Sequence, residues 1–209
     1  MRSPPRPWDV DARVSPRLQQ PSLFGDSEPS ILPGLATCDD LITEAEAEAL
    51  TAALAGLPFT PFEFGPFTGA RRIVSFGWRY DFGRHRLEAA EPMPDFLAPA
   101  HQRAAAFAGL PSEALRQVLV TEYQPGAGIG WHRDRPQFGQ VIGVSLGAPA
   151  VLRFRRREGA GWDRCALPLP PRSAYHLAGE ARSGWEHSIA PGQALRYSIT
   201  FRTLVADPA

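Results

Sequence analysis

The sequence predicts a mainly β, α+β chain. It would have a double-stranded β-helix (jelly-roll) core, with helices buttressing that core from the N-terminal side. Three observations carry this. Short apolar-alternating runs recur between Pro and Gly turns from Arg116 onward, and the helix-forming stretches fall in the first half. Strands and helices do not alternate as a parallel sheet would require.

The elements follow in order. Residues 1 to 20 mix Pro, Arg and Asp with almost no apolar periodicity and read as a disordered tail. A single domain is expected over residues 21–205, with 206–209 a short tail. Thr43 to Leu54 begins with a helix-capping Thr, has Glu46 three residues on, and continues in strong helix formers. Ile73 to Phe82 sets Val74, Phe76, Trp78, Tyr80 and Phe82 at every second position, the spacing of one strand face. Asp95 to Phe107 reads as a second helix. The core, residues 116–203, contains strand-like runs at Gln117–Tyr123, Gln140–Leu146, Ala150–Phe154, Ser173–Leu177, Trp185–Ile189 and Leu195–Thr203.

With 209 residues and 44% hydrophobic content the chain can bury one substantial core. All 22 basic residues are Arg, and 22 acidic residues bring the formal charge to zero. Neutrality excludes broad charge-driven binding to a polyanion and leaves room only for a local basic strip. Cys38 and Cys165 have no metal-ligand spacing, and no long apolar run suggests a leader or membrane span. The expectation is a reduced, cytoplasmic, soluble monomer without a membrane partner.

His132 and Asp134 are two apart, so on an extended segment both side chains point the same way. Two imidazoles and one carboxylate on one face of an iron ion leave positions open for chemistry. The second imidazole would come from His85, His101, His176 or His187. His187 lies in a short strand run nine residues before Arg196 and is preferred, with His176 still open on spacing. Arg196 and Arg202 are six apart on an apolar-alternating strand, so both project from one face. Facing a barrel interior they would require anions, and a dicarboxylate suits planar, bidentate guanidinium capture. On an exposed edge strand they would need no such partner.

The runs Y-Q-P-G-A-G-I-G-W-H-R-D (Tyr123 to Asp134), V-I-G-V-S-L-G (Val141 to Gly147), G-E-A-R-S-G-W-E-H-S-I (Gly179 to Ile189) and R-Y-S-I-T-F-R (Arg196 to Arg202) occur in that order. With Q-P-S-L-F-G (Gln20 to Gly25), they make the chain resemble the AlkB-like oxygenases that use Fe(II), 2-oxoglutarate and O2. The resemblance implies that His132, Asp134 and His187 bind iron. It also implies that Arg196 holds the distal carboxylate of 2-oxoglutarate, with Tyr123 and Arg202 nearer the reacting end. The implied reaction couples decarboxylation of the cosubstrate to hydroxylation of a C–H bond. On an N-methylated base the product would fall apart to formaldehyde and the repaired base.

Two features, at three positions, depart from the family pattern. Thr121 stands where repair enzymes commonly carry Asn, and Pro136 and Gln137 replace acids that can touch a damaged base. The resemblance also implies a lid hairpin over the substrate, at residues 69–86. Trp78 and Tyr80 are candidate base-stacking residues, and Arg72 and Arg182 candidate substrate contacts. The leading expectation is oxidative dealkylation of nucleobases in single-stranded DNA or RNA. The alternatives are the same chemistry on a protein, lipid or small molecule, and a catalytically silent nucleic-acid-binding module.

Overall fold

The computed structural model describes residues 31–64 and 67–206. The predicted N-terminal tail, the Gln20 to Gly25 motif and residues 207–209 lie outside them. Thr43 caps the helix α1 (Glu44–Ala55) with the expected reciprocal bonds to Glu46. The second helical stretch opens as a 3₁₀ turn, Asp95–Leu97, before α2 (Ala98–Phe107). A third, one-turn helix, α3 (Gly179–Ser183), falls in the C-terminal half, which was expected to hold strands alone. Among the described residues no helix is long and apolar enough to cross a membrane.

Two antiparallel sheets form the jelly roll. Its core strands are β6 (Leu115–Tyr123), β7 (Ile129–His132), β8 (Phe138–Gly147), β9 (Ala150–Glu158), β10 (Gly161–Leu169), β11 (Ala174–Leu177), β12 (Glu186–Ile189) and β13 (Arg196–Leu204). Ahead of them come β1 (Leu35–Cys38), β2 (Thr60–Phe64), β3 (Phe67–Phe76), β4 (Trp78–Asp81) and β5 (Arg86–Ala89). The major sheet runs β1-β11-β8-β13-β6-β3-β2, the minor sheet β10-β9-β12-β7, and β4 pairs with β5 as a separate hairpin. The strand β10 carries no clear apolar alternation. It is a sheet edge, where Pro168 needs no ladder bond on its open side.

Alternation along β13 decides which residues face the site. Tyr197, Ile199 and Phe201 enter the core beneath α1 and α2, with Leu54, Leu97 and Ala104. Arg196, Ser198, Thr200 and Arg202 therefore point to the opposite, inter-sheet side. That side is closed by Tyr123, Val141 and Tyr175 of the major sheet against Leu152, Phe154 and Ile189 of the minor sheet.

The continuous aromatic face expected over Ile73 to Phe82 is broken at Gly77. Its φ of 72° lies in the left-handed region, and a side chain there would run into the Arg116 carbonyl. The break ends β3, and β4 belongs to a different sheet, so Phe76 stays in the helix-side core while Tyr80 and Phe82 reach the cavity.

Gly143 in β8 lies under the Tyr175 ring, which occupies the space a Cβ would need. Replacement by Ala overpacks a buried contact. We expect Gly143→Ala to lower the unfolding free energy by roughly 1–3 kcal/mol in denaturant titrations, and an unchanged midpoint would contradict this packing.

Candidate active site

His132 ends β7, Asp134 follows in the loop, and His187 sits in β12 directly opposite His132 in the sheet register. The two imidazole rings are 4.3 Å apart between centroids. His187 Nε2 is 3.7 Å from Asp134 Oδ2, too long for a hydrogen bond but close enough for one small ion to be shared. His132 Nδ1 lies 2.8 Å from the Gly130 carbonyl oxygen. A ring that donates Nδ1–H there keeps its lone pair on Nε2, the arrangement that backbone carbonyls impose on ligating histidines. Among the described residues no three His, Cys, Asp or Glu side chains form a ready-made ligand cage, so the trio converges without closing.

Electrostatics keep this set in ligand form. Burial pushes the His187 imidazole down to about 4 against the upward pull of Asp134, and burial lowers His132 as well. Both are therefore neutral at pH 7. Burial alone would raise the Asp134 carboxyl, but Arg202 foremost outweighs it and holds the group well below the usual carboxylate range.

Arg202 Nη2 donates to Asp134 Oδ1 at 2.8 Å, and its Nη1 donates to Gln117 Oε1 at 2.9 Å. Arg196 donates from Nη2 to Ser145 Oγ at 3.3 Å, and its guanidinium carbon lies 5.0 Å from the centre of the Tyr123 ring. Arg196 Nε and Nη1 and Arg202 Nε are buried without a hydrogen-bond partner. Arg196 is only 3% exposed. Two buried cations with open donors call for an anion between or beside them. Tyr175, which burial foremost pushes up to about 12, stands beside both arginines with its hydroxyl protonated. The donor set and the orphaned guanidinium nitrogens thus fit an iron ion and a dicarboxylate.

The cavity between the sheets has a volume of about 550 Å³. Thr121, Ser198 and Tyr175 line its interior, and Phe62, Arg71, Tyr80, Phe82 and Arg135 its mouth. The Arg135 guanidinium lies 5.0 Å from the Tyr80 ring centre and 4.8 Å from that of Phe82, and Arg71 lies 3.8 Å from that of Phe62.

Tyr123, His132, Asp134, His187, Arg196 and Arg202 are brought together as the sequence suggested. His176 is not, because it points to the helix side and meets Gln140 Oε1 at 2.7 Å. Of the four candidate substrate contacts only Tyr80 lines the cavity. Trp78 lies under Arg116, 5.9 Å away. Arg72 pairs with Glu122 at 2.7 Å on the helix-side face of the sheet, whereas its neighbour Arg71 takes the position towards the cavity. Arg182 donates to the carbonyls of Arg135, Phe138 and Gly139, bracing the loop that follows Asp134. Sequence reading missed Gln117, Phe62, Phe82, Arg135 and Tyr175. Only the period-two parity of β3 and β6, once paired, would have separated Arg71 from Arg72 and found Gln117.

A family model described as the 2OG-Fe(II) oxygenase superfamily matches residues 67–202. The chain is 31% identical over 199 residues to an alpha-ketoglutarate-dependent dioxygenase AlkB homolog of Caulobacter vibrioides, covering 83% of this chain and 89% of that protein. This chain is an AlkB-like 2OG-Fe(II) oxygenase family member. The AlkB-like family uses Fe(II), 2-oxoglutarate and O2. It is also 30% identical over 188 residues to an alkylated DNA repair protein ALKBH8 homolog of Arabidopsis thaliana, covering 78% of this chain and 52% of that one. The chain thus spans about half the length of that relative. In fold the AlkB-like chain is similar to OsALKBH1, with a TM-score of 0.63 at 15% identity over 83% of this chain and 99% of the other. It is also similar to a Pseudomonas putida prolyl-4-hydroxylase, with a TM-score of 0.56 at 17% identity over 83% and 94%.

The depressed proton affinity of His187 makes folding stability pH-dependent. The folded protein binds fewer protons than the unfolded chain between about pH 6.5 and 4, so stability is present above that window and is lost as pH falls through it. In chelator-treated protein we expect a loss on the order of 3 kcal/mol from this group. Denaturant titrations across the window should show a flatter pH slope in His187→Gln than in the parent.

Proposed function

We propose that this chain is an Fe(II)/2-oxoglutarate-dependent dioxygenase that oxidatively dealkylates modified nucleobases in DNA or RNA. His132, Asp134 and His187 hold the iron, and Arg196, Arg202 and Tyr123 hold 2-oxoglutarate. The observation that carries the dioxygenase part of this reading is an open three-donor set at the minor sheet, facing across the inter-sheet space two buried guanidiniums with unsatisfied nitrogens on the major sheet. When bound, Fe(II) with 2-oxoglutarate and O2 supplies an oxidant for a C–H bond and leaves succinate and CO2.

The protein's own residues do the rest. Arg196, set over Tyr123 and bonded to Ser145, offers two free donors to a carboxylate between the sheets. Arg202 fixes one oxygen of Asp134 and leaves Oδ2 directed towards His187. Val141, Leu152 and Ile129 line the cavity with apolar surface and limit water around the reacting group. Tyr80, Phe82 and Phe62 at the mouth suit a planar base taken out of its stack. A hydroxylated N-methyl group on such a base collapses to formaldehyde and the unmodified base.

One relative, whose name specifies alkylated DNA repair, supports the nucleic-acid substrate. The zero net charge, with Pro136 and Gln137 in place of acids, supports a second reading in which the same cofactors serve a protein, lipid or small molecule.

The test uses a single-stranded oligonucleotide carrying 1-methyladenine or 3-methylcytosine, incubated with protein, Fe(II), 2-oxoglutarate and ascorbate. Mass spectrometry should show loss of one methyl with the parent protein and none with His132→Ala. An unchanged mass with 2-oxoglutarate still consumed would exclude these bases and favour the second reading.

A further inference from the structure

The outer face of the minor sheet carries an arginine and tryptophan ladder that the active site does not use. His132 and His187 point inward, so Trp131 and Ser188 point outward on the same two strands. Across the sheet, Arg153 stands opposite Ser188, Arg155 opposite both Glu186 and Arg164, and Arg157 opposite Trp162. These residues therefore share one face.

Cation–π contacts tie the ladder together. Arg153 and Arg155 lie 5.3 and 4.5 Å from the Trp131 ring centre, and Arg155 and Arg157 lie 4.3 and 5.2 Å from that of Trp162. The one acid in these rows, Glu186, is engaged by Arg155 at 2.6 Å. Among the described residues Arg157 and Arg164 have no acidic partner. Trp162 is 36% exposed, one of the few large apolar side chains at the surface. A chain of zero net charge has thus concentrated four arginines around two indoles on one face.

We propose that this face is a track for single-stranded nucleic acid, leading from the active-site mouth at Trp131 to Trp162. The choice of partner rests on the nucleic-acid reading above. Trp131 and Arg133 also line the cavity, so the ladder is continuous with the site and begins at its rim. From β7 to β10 it spans about 14 Å across three strand spacings, and from Arg153 to Arg157 about 13 Å along the strand. That length accommodates several nucleotides beyond a base held in the cavity. Guanidiniums supply phosphate contacts, and the exposed indole supplies a stacking surface that tolerates any base. An acidic peptide would use the arginines alone and would leave the indoles without a role.

The experiment compares the full chain with Arg157→Gln/Arg164→Gln and with Trp162→Ala, using a fluorescein-labelled unmodified thymidine 15-mer across a salt series. The parent should bind with quenching of tryptophan fluorescence. The double variant should bind roughly tenfold more weakly, with a salt slope shallower by about 1.4, the loss of two phosphate contacts on a single strand. Trp162→Ala should also bind roughly tenfold more weakly and with less quenching.

A methylated trinucleotide, too short to run from the cavity to Trp162, should be turned over equally by all three. If the trinucleotide is turned over and 15-mer binding is the same in all three proteins, the track is overturned while the proposed function stands. If the 15-mer behaves as expected and no methylated oligonucleotide is turned over, the track stands and the dealkylation reading fails. Polyglutamate competing as well as the 15-mer, without quenching, would overturn the track in favour of an acidic partner.

Discussion

The buried ion pair between Asp134 and Arg202 ties the loop after β7 to the last strand of the major sheet, and the geometry of the site follows from it. Both side chains are less than a tenth exposed, and Gln117 on β6 takes the other arm of the same guanidinium. Two elements distant in sequence are thereby locked to one carboxylate. Leaving either partner buried alone would cost about 3–5 kcal/mol, so the pair constrains where Asp134 can sit relative to His187. It also keeps the carboxylate ionised despite its burial.

Strand parity does the remaining work. On β13 Ser198, Thr200 and Arg202 line the cavity, while Tyr197, Ile199 and Phe201 reach the core beneath α1 and α2. The neighbouring β8 is small where this matters, because Gly143 admits the Tyr175 ring and Ser145 meets Arg196. The same rule on the minor sheet sends His132 and His187 inward and Trp131 outward, so one sheet presents a reaction site on one face and a basic, aromatic surface on the other. Arg182, placed on α3, is spent on three carbonyls of the loop and so stiffens the segment that presents Asp134.

Much of this was legible in the residues. The H-x-D pair, the six-residue spacing of the two arginines and the strand runs of the second half were visible because period-two alternation is local. The capping box at Thr43 was equally local. Choices that depended on pairing were hidden. Arg71 and Arg72 are indistinguishable until β3 is registered against β6, which puts Arg72 opposite Glu122. The aromatic face of residues 74 to 82 looked continuous because alternation does not reveal the left-handed turn at Gly77. The edge strand β10 was overlooked because its exposed, Pro-containing sequence has only a partner on one side.

The central claim is that His132, Asp134 and His187 form the iron site and that Arg196 and Arg202 hold the cosubstrate beside it. Anaerobic titration of Fe(II) with 2-oxoglutarate, followed by the visible charge-transfer absorbance of the ternary complex, tests this most directly. The account predicts the band in the parent protein, its absence in His187→Ala, and in Arg196→Met a band that needs far more 2-oxoglutarate while iron binding is retained. A band of equal strength in His187→Ala, at the same iron and cosubstrate concentrations, would contradict it.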